Sequence, residues 1–374
     1  MAESQNKEAP DDEELQSRDI AKTEEITDRK CPSCGGVMEF DPKSQMLSCP
    51  YCGNQVKIEN EKMDFEAQEL DFYSAEADAS CDWGLSTKTI LCKSCGARTI
   101  YDANIISSSC PYCGSNQVVE ETDARVMAPG GVVPFSLDDK KASESFKNWL
   151  GHKFYCPKLA KDSAKPKSFT GVYMPYWTFD TNTRSDYHGY YGVSRIVRDR
   201  EGKTRTVIDW HPIAGRYGLF FDDFLVCGST GSNRSMVEGL EPFDTLRAKE
   251  YRPEYMAGFR AEHYTVKMKD AWEEAKDKMQ RILQNKVESQ IKAEHGADNV
   301  RGVHLHTSYG NITYKYLLLP IWISSFKYKD KIYHFMINGQ TGKVSGDSPI
   351  SAVKVALTIL AVLLLILIVW YLSK

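Results

Sequence analysis

Eight paired cysteines constrain this chain more than any other feature. Residues 31–52 read CPSCGGVMEFDPKSQMLSCPYC, and residues 91–113 read LCKSCGARTIYDANIISSSCPYC. Each stretch holds two C-x-x-C pairs separated by fourteen residues: Cys31, Cys34, Cys49 and Cys52, then Cys92, Cys95, Cys110 and Cys113. The second set repeats the first at a constant offset of 61, and Phe40-Asp41 falls on Tyr101-Asp102, Pro50-Tyr51 on Pro111-Tyr112. Such self-similarity marks an internal duplication. A C-x-x-C turn presents two thiolates to one edge of a tetrahedron, and two turns joined by a hairpin close it. Gly35, Gly53, Gly96 and Gly114 follow the turns and let the backbone leave at positive φ, with amides left to point at sulfur. The spacing predicts two Zn2+ sites with no open coordination position, structural rather than catalytic. Each would hold together a β ribbon too small to fold alone, over 31–53 and 91–119. Ferredoxin-type iron–sulfur spacings are different.

The other cysteines, Cys81, Cys156 and Cys227, bring the total to 11. An odd count with paired spacing fits metal in a reducing compartment better than a secreted disulfide scaffold. Cys156 and Cys227 lack a nucleophile motif and read as small buried side chains.

Charge is sharply divided. Residues 1–123 carry 11 basic and 25 acidic groups, whereas residues 124–374 carry 36 basic and 26 acidic. Residues 1–30 contain no apolar run and read as a disordered acidic tail. Residues 54–90 read as an acidic linker with a short amphipathic helix, or as a docking strip for a basic partner or for the chain's own basic half. Neither cysteine module carries a basic stripe. Nucleic-acid binding is therefore disfavoured, because it needs Lys and Arg to replace phosphate counterions.

Residues 132–348 predict an α+β domain: an antiparallel sheet with one long helix. DDKKASESFKNWLG has helical spacing, with Asp138 or Asp139 as cap and Gly151 as stop. FTGVYMPYWTFD reads as a strand, and SRIVRDREGKTRTVIDW as a hairpin around Arg200-Glu201-Gly202. Met268, Trp272, Ala275, Met279, Ile282, Leu283, Val287 and Ile291 form one helical stripe that Gly296 ends. Two strands follow, with corners at Lys329-Asp330 and Asn338-Gly339. Pro-x-Trp recurs at Pro175-Tyr176-Trp177 and Pro320-Ile321-Trp322, by a second duplication or by chance.

Residues 354–373 predict a transmembrane helix. Nineteen uncharged residues separate Lys354 from Lys374, which at about 1.5 Å per residue covers nearly the ~30 Å bilayer core. Trp370 and Tyr371 suit an interface. Lys343 and Lys354 on the long flank, and thiols that need reduction, place the body in the cytoplasm as a tail-anchored, single-pass protein of the cell (inner) membrane. Basic clusters at Lys153, Lys158, Lys161, Lys165 and Lys167, and at Arg195, Arg198, Arg200, Lys203 and Arg205, read either as contacts to anionic lipid or as solvated faces. No catalytic constellation emerges, and no enzyme is expected. A phosphate loop would need glycine where Val197 and Ile337 stand. His304 and His306 read as a surface or strand pair.

Twin cysteine ribbons, VVPF with a helix, MPYW, EYMAGFRAEHY, LLPIW, INGQTGKV and a terminal span follow one another over nearly the whole chain. In this the chain resembles a bacterial family of membrane-anchored zinc-ribbon proteins, with ribbons similar to the transcription-factor-IIB type. Members often carry the label of a primosomal replication helicase, for which this chain lacks motor motifs. Some act beside membrane-remodelling proteins of the phage-shock protein A type. The resemblance implies a non-enzymatic adaptor or scaffold that recruits protein partners to the membrane, in envelope stress or membrane maintenance. The alternative is a nucleic-acid-binding or replication-associated zinc-ribbon protein.

Overall fold

A computed structural model describes residues 29–58, 69–72, 87–94, 97–102, 110, 112, 115–121, 127–164, 166, 169–198, 202–230 and 234–372. The chain is mixed α/β, and its described residues form two sheets, few helices and one apolar C-terminal helix. The small sheet is β1 (Glu39–Asp41), β2 (Met46–Ser48) and β3 (Gln55–Val56), antiparallel in that order. The large sheet draws on β4 (Leu70–Asp71), β5 (Thr87–Cys92), β6 (Arg98–Asp102), β7 (Val118–Glu121), β8 (Gly131–Val132), β9 (Thr170–Arg198), β10 (Thr204–Cys227), β11 (Lys249–Glu250), β12 (Arg260–Glu262), β13 (Asn299–Tyr328), β14 (Lys331–Asn338) and β15 (Val344–Gly346). The helices are α1 (Asp139–His152), α2 (Lys158–Ser163), α3 (Arg234–Glu238), α4 (Met268–His295) and α5 (Ala352–Leu372).

Three long strands form the spine. β13 lies antiparallel to β9 from Ile323↔Thr170 to Asn299↔Gly192, with register shifts between Arg301 and His304 and between Gly310 and Thr313. β10 folds back along β9 from Thr204↔Arg198 to Cys227↔Tyr176. The expected hairpin is present, and Gly202 enters its second strand at φ 81°; residues 199–201 lie outside the described residues. The strand expected over 169–180 runs on to Arg198. Its 29 residues would span roughly 95 Å at ~3.3 Å per residue. The burial pattern explains the extension. Gly171 to Thr181 are buried on both faces, while beyond them Thr183, Ser185 and Tyr187 point inward and Arg184, Asp186 and His188 outward. A strand covered on one face alternates in this way.

The covering element is α4. Ala271, Trp272, Ala275, Met279, Leu283, Val287 and Ile291 are buried along it, as the stripe predicts. Met268 and Ile282 sit at its margin, partly buried. Gly296 ends the helix in the left-handed region at φ 58°, where a side chain would be strained. At α1, Asp138 is the cap, accepting from the Lys141 amide at 2.9 Å. Phe146 and Leu150 seat that helix, with Phe146 stacked 4.1 Å from Phe335.

Short strands attach the remainder to the spine. β12 runs parallel to β9 (Ala261↔Tyr173) and antiparallel to β6 (Ala261↔Ile100), so the strands flanking Cys92 continue the large sheet. Part of the acidic 54–90 segment also docks on it. Asp71 and Leu70 pair with Thr313 and Tyr314 of β13, and Glu69 accepts from Thr313 Oγ1 at 3.0 Å and meets Lys315 at 3.4 Å. Phe72 lies 5.6 Å from Trp272 and 6.5 Å from Phe179. This stretch is a docked strip against the chain's own basic half; where the alternative reading expects a short helix, Leu70–Asp71 is a strand, and residues 59–68 and 73–86 lie outside the described residues. The two Pro-x-Trp motifs fall on the paired strands β9 and β13. Trp177 Nε1 donates to the Val266 carbonyl and Trp322 Nε1 to that of Leu137, each at 2.9 Å.

The C-terminal helix is long and apolar enough to cross a membrane, with a mean hydropathy of 3.0 and none of its most apolar stretch buried. If α4 holds the spine, Leu283→Ala costs about 3 kcal/mol in a denaturant titration of the solubilised protein. Lys286→Ala, on the exposed face of the same helix, changes it by less than about 0.5 kcal/mol.

Candidate metal centre

Cys31, Cys34, Cys49 and Cys52 bring their sulfurs within 4.8 Å of one another. Cys31 and Cys52 are 3.4 Å apart, Cys34 and Cys49 3.5 Å. Four sulfurs at about 2.3 Å from a tetrahedral zinc stand roughly 3.8 Å apart, so the group fits a metal such as zinc after a small outward adjustment. Local backbone makes the group. The Cys31 amide donates to Gly36 O at 2.7 Å and Gly35 N to Cys31 O at 2.8 Å; the Cys49 amide donates to Asn54 O and Gly53 N to Cys49 O, both at 2.9 Å. Gly35 and Gly53 take φ 73° and 74°. β1 and β2 carry the chain from one turn to the other, and the Asp41 carboxylate holds that bend through Lys43 N and Ser44 N.

The four thiols do not titrate independently. Burial disfavours the Cys31 thiolate, yet the Ser33 and Cys34 amides and the Cys52 thiol outweigh it and hold Cys31 at about 6. The Asn54 amide favours the Cys52 thiolate, but the Cys31 and Cys34 sulfurs oppose it more strongly and push Cys52 up to about 12. A cation among the sulfurs removes that conflict, since a coordinating thiol is deprotonated outright.

The duplication is visible in the backbone. Cys92 N donates to Ala97 O at 2.9 Å and Cys110 N to Ser115 O at 2.8 Å, the two bonds of the first module displaced by 61 residues. Cys92 and Cys110 are buried like their counterparts. Cys95 and Cys113, predicted with them, lie outside the described residues, as does Cys81.

The two modules meet the body differently. In the first, Phe40 N donates to Ala257 O at 3.0 Å, Phe40 packs 5.4 Å from Tyr255, Gln45 Nε2 reaches Phe135 O at 2.7 Å, and Lys43 pairs with Asp138 at 2.7 Å. Between module and body lies an open cleft of about 590 Å³, lined by Lys43 and Pro50 on one side and by Phe169, Phe259, Arg260 and Trp322 on the other. Tyr51, on the second cysteine turn, remains 79% exposed, and Val37 63%. Its counterpart in the second module, Tyr112, is only 5% exposed. The Tyr112 hydroxyl sits 3.4 Å from Met174 Sδ and hydrogen-bonds to Glu262.

A Bacillus subtilis protein, the uncharacterized protein YdjG, is 31% identical over 333 residues, covering 88% of this chain and 92% of the relative. The chain belongs to the YdjG family. No family model matches the sequence, and no solved structure matches the chain.

The remaining sequence candidates divide by burial. Cys156 and Cys227 are buried, and burial raises both thiols, Cys227 to about 12. His304 and His306 are exposed on β13. The fold adds two groups that lie far upstream in sequence: His188 opposite His304, with rings 5.5 Å apart, and Asp186 opposite His306. Asp186 is engaged by Arg216 at 2.9 Å. Among the described residues, only the Cys31 group has its donor atoms already gathered.

Sequence reading did not single out Glu262. It is buried beneath the second module and accepts from Ser229 Oγ. Burial is the largest influence on it and, against the hydrogen bonds from Ser229 and Tyr112, raises its carboxyl to about 7. The folded chain thus holds this proton more tightly than the unfolded chain. The group's contribution to stability is full below the ordinary Glu range near 4.5 and is lost as pH rises toward 7. Glu262→Gln is expected to flatten the fall in stability between pH 5 and 8 and to gain roughly 1–3 kcal/mol at pH 8. Chemical denaturation at a series of pH values checks this.

Proposed function

We propose that the chain is a membrane-anchored, cytoplasm-facing adaptor that recruits a protein partner through its first cysteine module. Both modules are read as β zinc ribbons. Each holds one structural Zn2+, by Cys31, Cys34, Cys49 and Cys52 and by Cys92, Cys95, Cys110 and Cys113. The ions fix the turns and do no chemistry, because four thiolates leave no position for a substrate. α5 is the anchor in the cell membrane. The reducing environment that the thiols require, and Lys343 and Lys354 on the body's side of the span, support a cytoplasmic body.

The observation that carries this reading is the contrast between two equivalent tyrosines. In the second module, Tyr112 is spent on docking the ribbon to the chain's own body. In the first, body contacts are made from the opposite end, by Phe40, Lys43 and Gln45. Tyr51 and Val37 are left facing solvent. The Tyr51 ring lies against Gly36, next in the chain to Val37, and an exposed tyrosine near an exposed aliphatic residue on a metal-stiffened turn is the composition of a protein-binding hot spot. Neighbouring Pro50 lines the cleft beneath it, which gives a partner segment somewhere to continue. Charge supports a protein over a nucleic acid, since the module's surroundings are acidic. A membrane-remodelling protein of the phage-shock protein A type is the candidate that the family resemblance supplies.

Two experiments test this. Elemental analysis of the purified protein should give two zinc per chain, falling to one in Cys49→Ser and to one in Cys110→Ser. Purification from native membranes in mild detergent should bring down a stoichiometric protein. Val37→Asp with Tyr51→Ala reduces its recovery at least tenfold while leaving stability within about 1 kcal/mol. Tyr112→Ala costs about 3 kcal/mol of stability and spares the partner. A partner recovered equally with the Val37/Tyr51 variant, or none recovered at all, contradicts the reading.

A further inference from the structure

The span does not leave the body on a loose tether. Its first turn is tied to a segment two hundred residues upstream. Lys354 Nζ donates to the carbonyls of Phe154 and Cys156, each at 2.8 Å, and Ser351 N donates to Tyr155 O at 2.9 Å. Ser351 Oγ caps the helix start, accepting from Lys354 N at 3.4 Å. Lys354 Nζ also stands 5.7 Å from the centre of the Phe154 ring. Phe154 is therefore level with the first turn of α5, where an apolar helix passes from water into the headgroup layer.

The tied segment is apolar on the outside and basic around it. Phe154 is 68% exposed and Leu159, on α2, 74%; Ile350, immediately before α5, is 71% exposed. Tyr155 packs edge-on against Phe154 at 5.2 Å. The segment itself is well anchored inward: Cys156 and Ala160 are buried, and Lys161 Nζ donates to Gly151 O at 2.6 Å. Lys153 lies over the Trp149 ring at 4.7 Å, and Lys158 is exposed. A rigid turn that shows Phe, Tyr and Leu outward with lysines at its rim has the composition of an interfacial anchor. Its aromatic and aliphatic groups suit the boundary between headgroups and acyl chains, and its ammonium groups suit anionic phosphates.

We infer that residues 153–161, with Ile350, form a lipid-binding platform that seats the body on an anionic bilayer surface and sets the depth at which α5 enters. Phe154, Leu159 and Ile350 enter the interface, while Lys153 and Lys158 face phospholipid headgroups. Lys354 is the positioning residue: its ammonium group donates to two platform carbonyls and so holds the platform to the span, and tilting the helix moves the platform with it. This rests on reading α5 as a membrane span, and the test separates the two claims.

Full-length protein is placed in nanodiscs of phosphatidylcholine alone or mixed with phosphatidylglycerol. A photocrosslinking amino acid stands at Phe154, Leu159 or Leu360, or at Tyr190 on the far end of the large sheet, and lipid adducts are read by mass spectrometry. Adducts at 154, 159 and 360 and none at 190 are expected. Phosphatidylglycerol should be over-represented at 154 and 159 by about fivefold for each lysine, the weight of one charge at an anionic surface. Lys153→Gln with Lys158→Gln should abolish that bias. Adducts at 360 without adducts at 154 and 159, or adducts at 154 and 159 with no bias toward phosphatidylglycerol, overturn the platform. Absence of adducts at 360 overturns the span itself.

Discussion

The antiparallel pairing of β9 with β13 is the constraint on which the other parts depend. Each strand offers its edges in sequence to different neighbours. β9 meets β12 near its start and β10 along the rest, while β13 takes β4, β8 and then β14. Both cysteine modules, over their described residues, are located through this ladder. The second module reaches it by β6 and β12, and the first rests on Tyr255, Ala257 and Phe259 just before β12. A register slip of one residue between β9 and β13 would turn Tyr187 and Val303 away from α4 and unseat both modules.

This arrangement changes what the duplicated cysteine modules are. Equal in sequence, they are unequal in the fold. One is built into the sheet and spends its turn tyrosine on the core; the other touches the body through its hairpin and keeps that tyrosine outside. The same short unit is thus once packed into the sheet with its turn tyrosine buried and once left with that tyrosine exposed. Because the second module contains Tyr112 and lies over Glu262, its hold depends on a buried proton. The first module, tied by Phe40 and by the Lys43–Asp138 pair, rests instead on an ionised carboxylate: burial opposes its charge, yet Lys43 and the Lys141 amide hold it below its ordinary range.

Much of this was legible in the residues, for identifiable reasons. The α4 stripe, its Gly296 stop and the Asp138 cap follow from side-chain periodicity and local hydrogen bonding, and all three stand in the structure. The Cys31 group follows from spacing alone. The extent of β9 is not legible because Asp186, His188, Gly189 and Gly192 interrupt the β formers of this stretch, and its partner lies more than a hundred residues downstream. β12 is three residues, too short for a periodic signal, yet it joins the second module to the sheet. The acidic stretch reads equally as linker or as a strip docked on the chain's own basic half, because only four residues of it, Glu69 to Phe72, carry the docking contacts. Glu262 gave no signal, since burial of a carboxyl depends on Ser229 and Tyr112 arriving from distant segments. The His188 and Asp186 neighbours of His304 and His306 are cross-strand products that sequence spacing does not contain.

The account stands on the asymmetry between Tyr51 and Tyr112, and crosslinking at those two positions in living cells addresses it most directly. With a photoreactive residue at 51, the account predicts a covalent adduct to a second protein, in the membrane fraction. With the same residue at 112 it predicts only a crosslink within the chain, to the Met174 and Glu262 region. Position 51 yielding no adduct to another protein, or position 112 yielding the same intermolecular adduct, would contradict it.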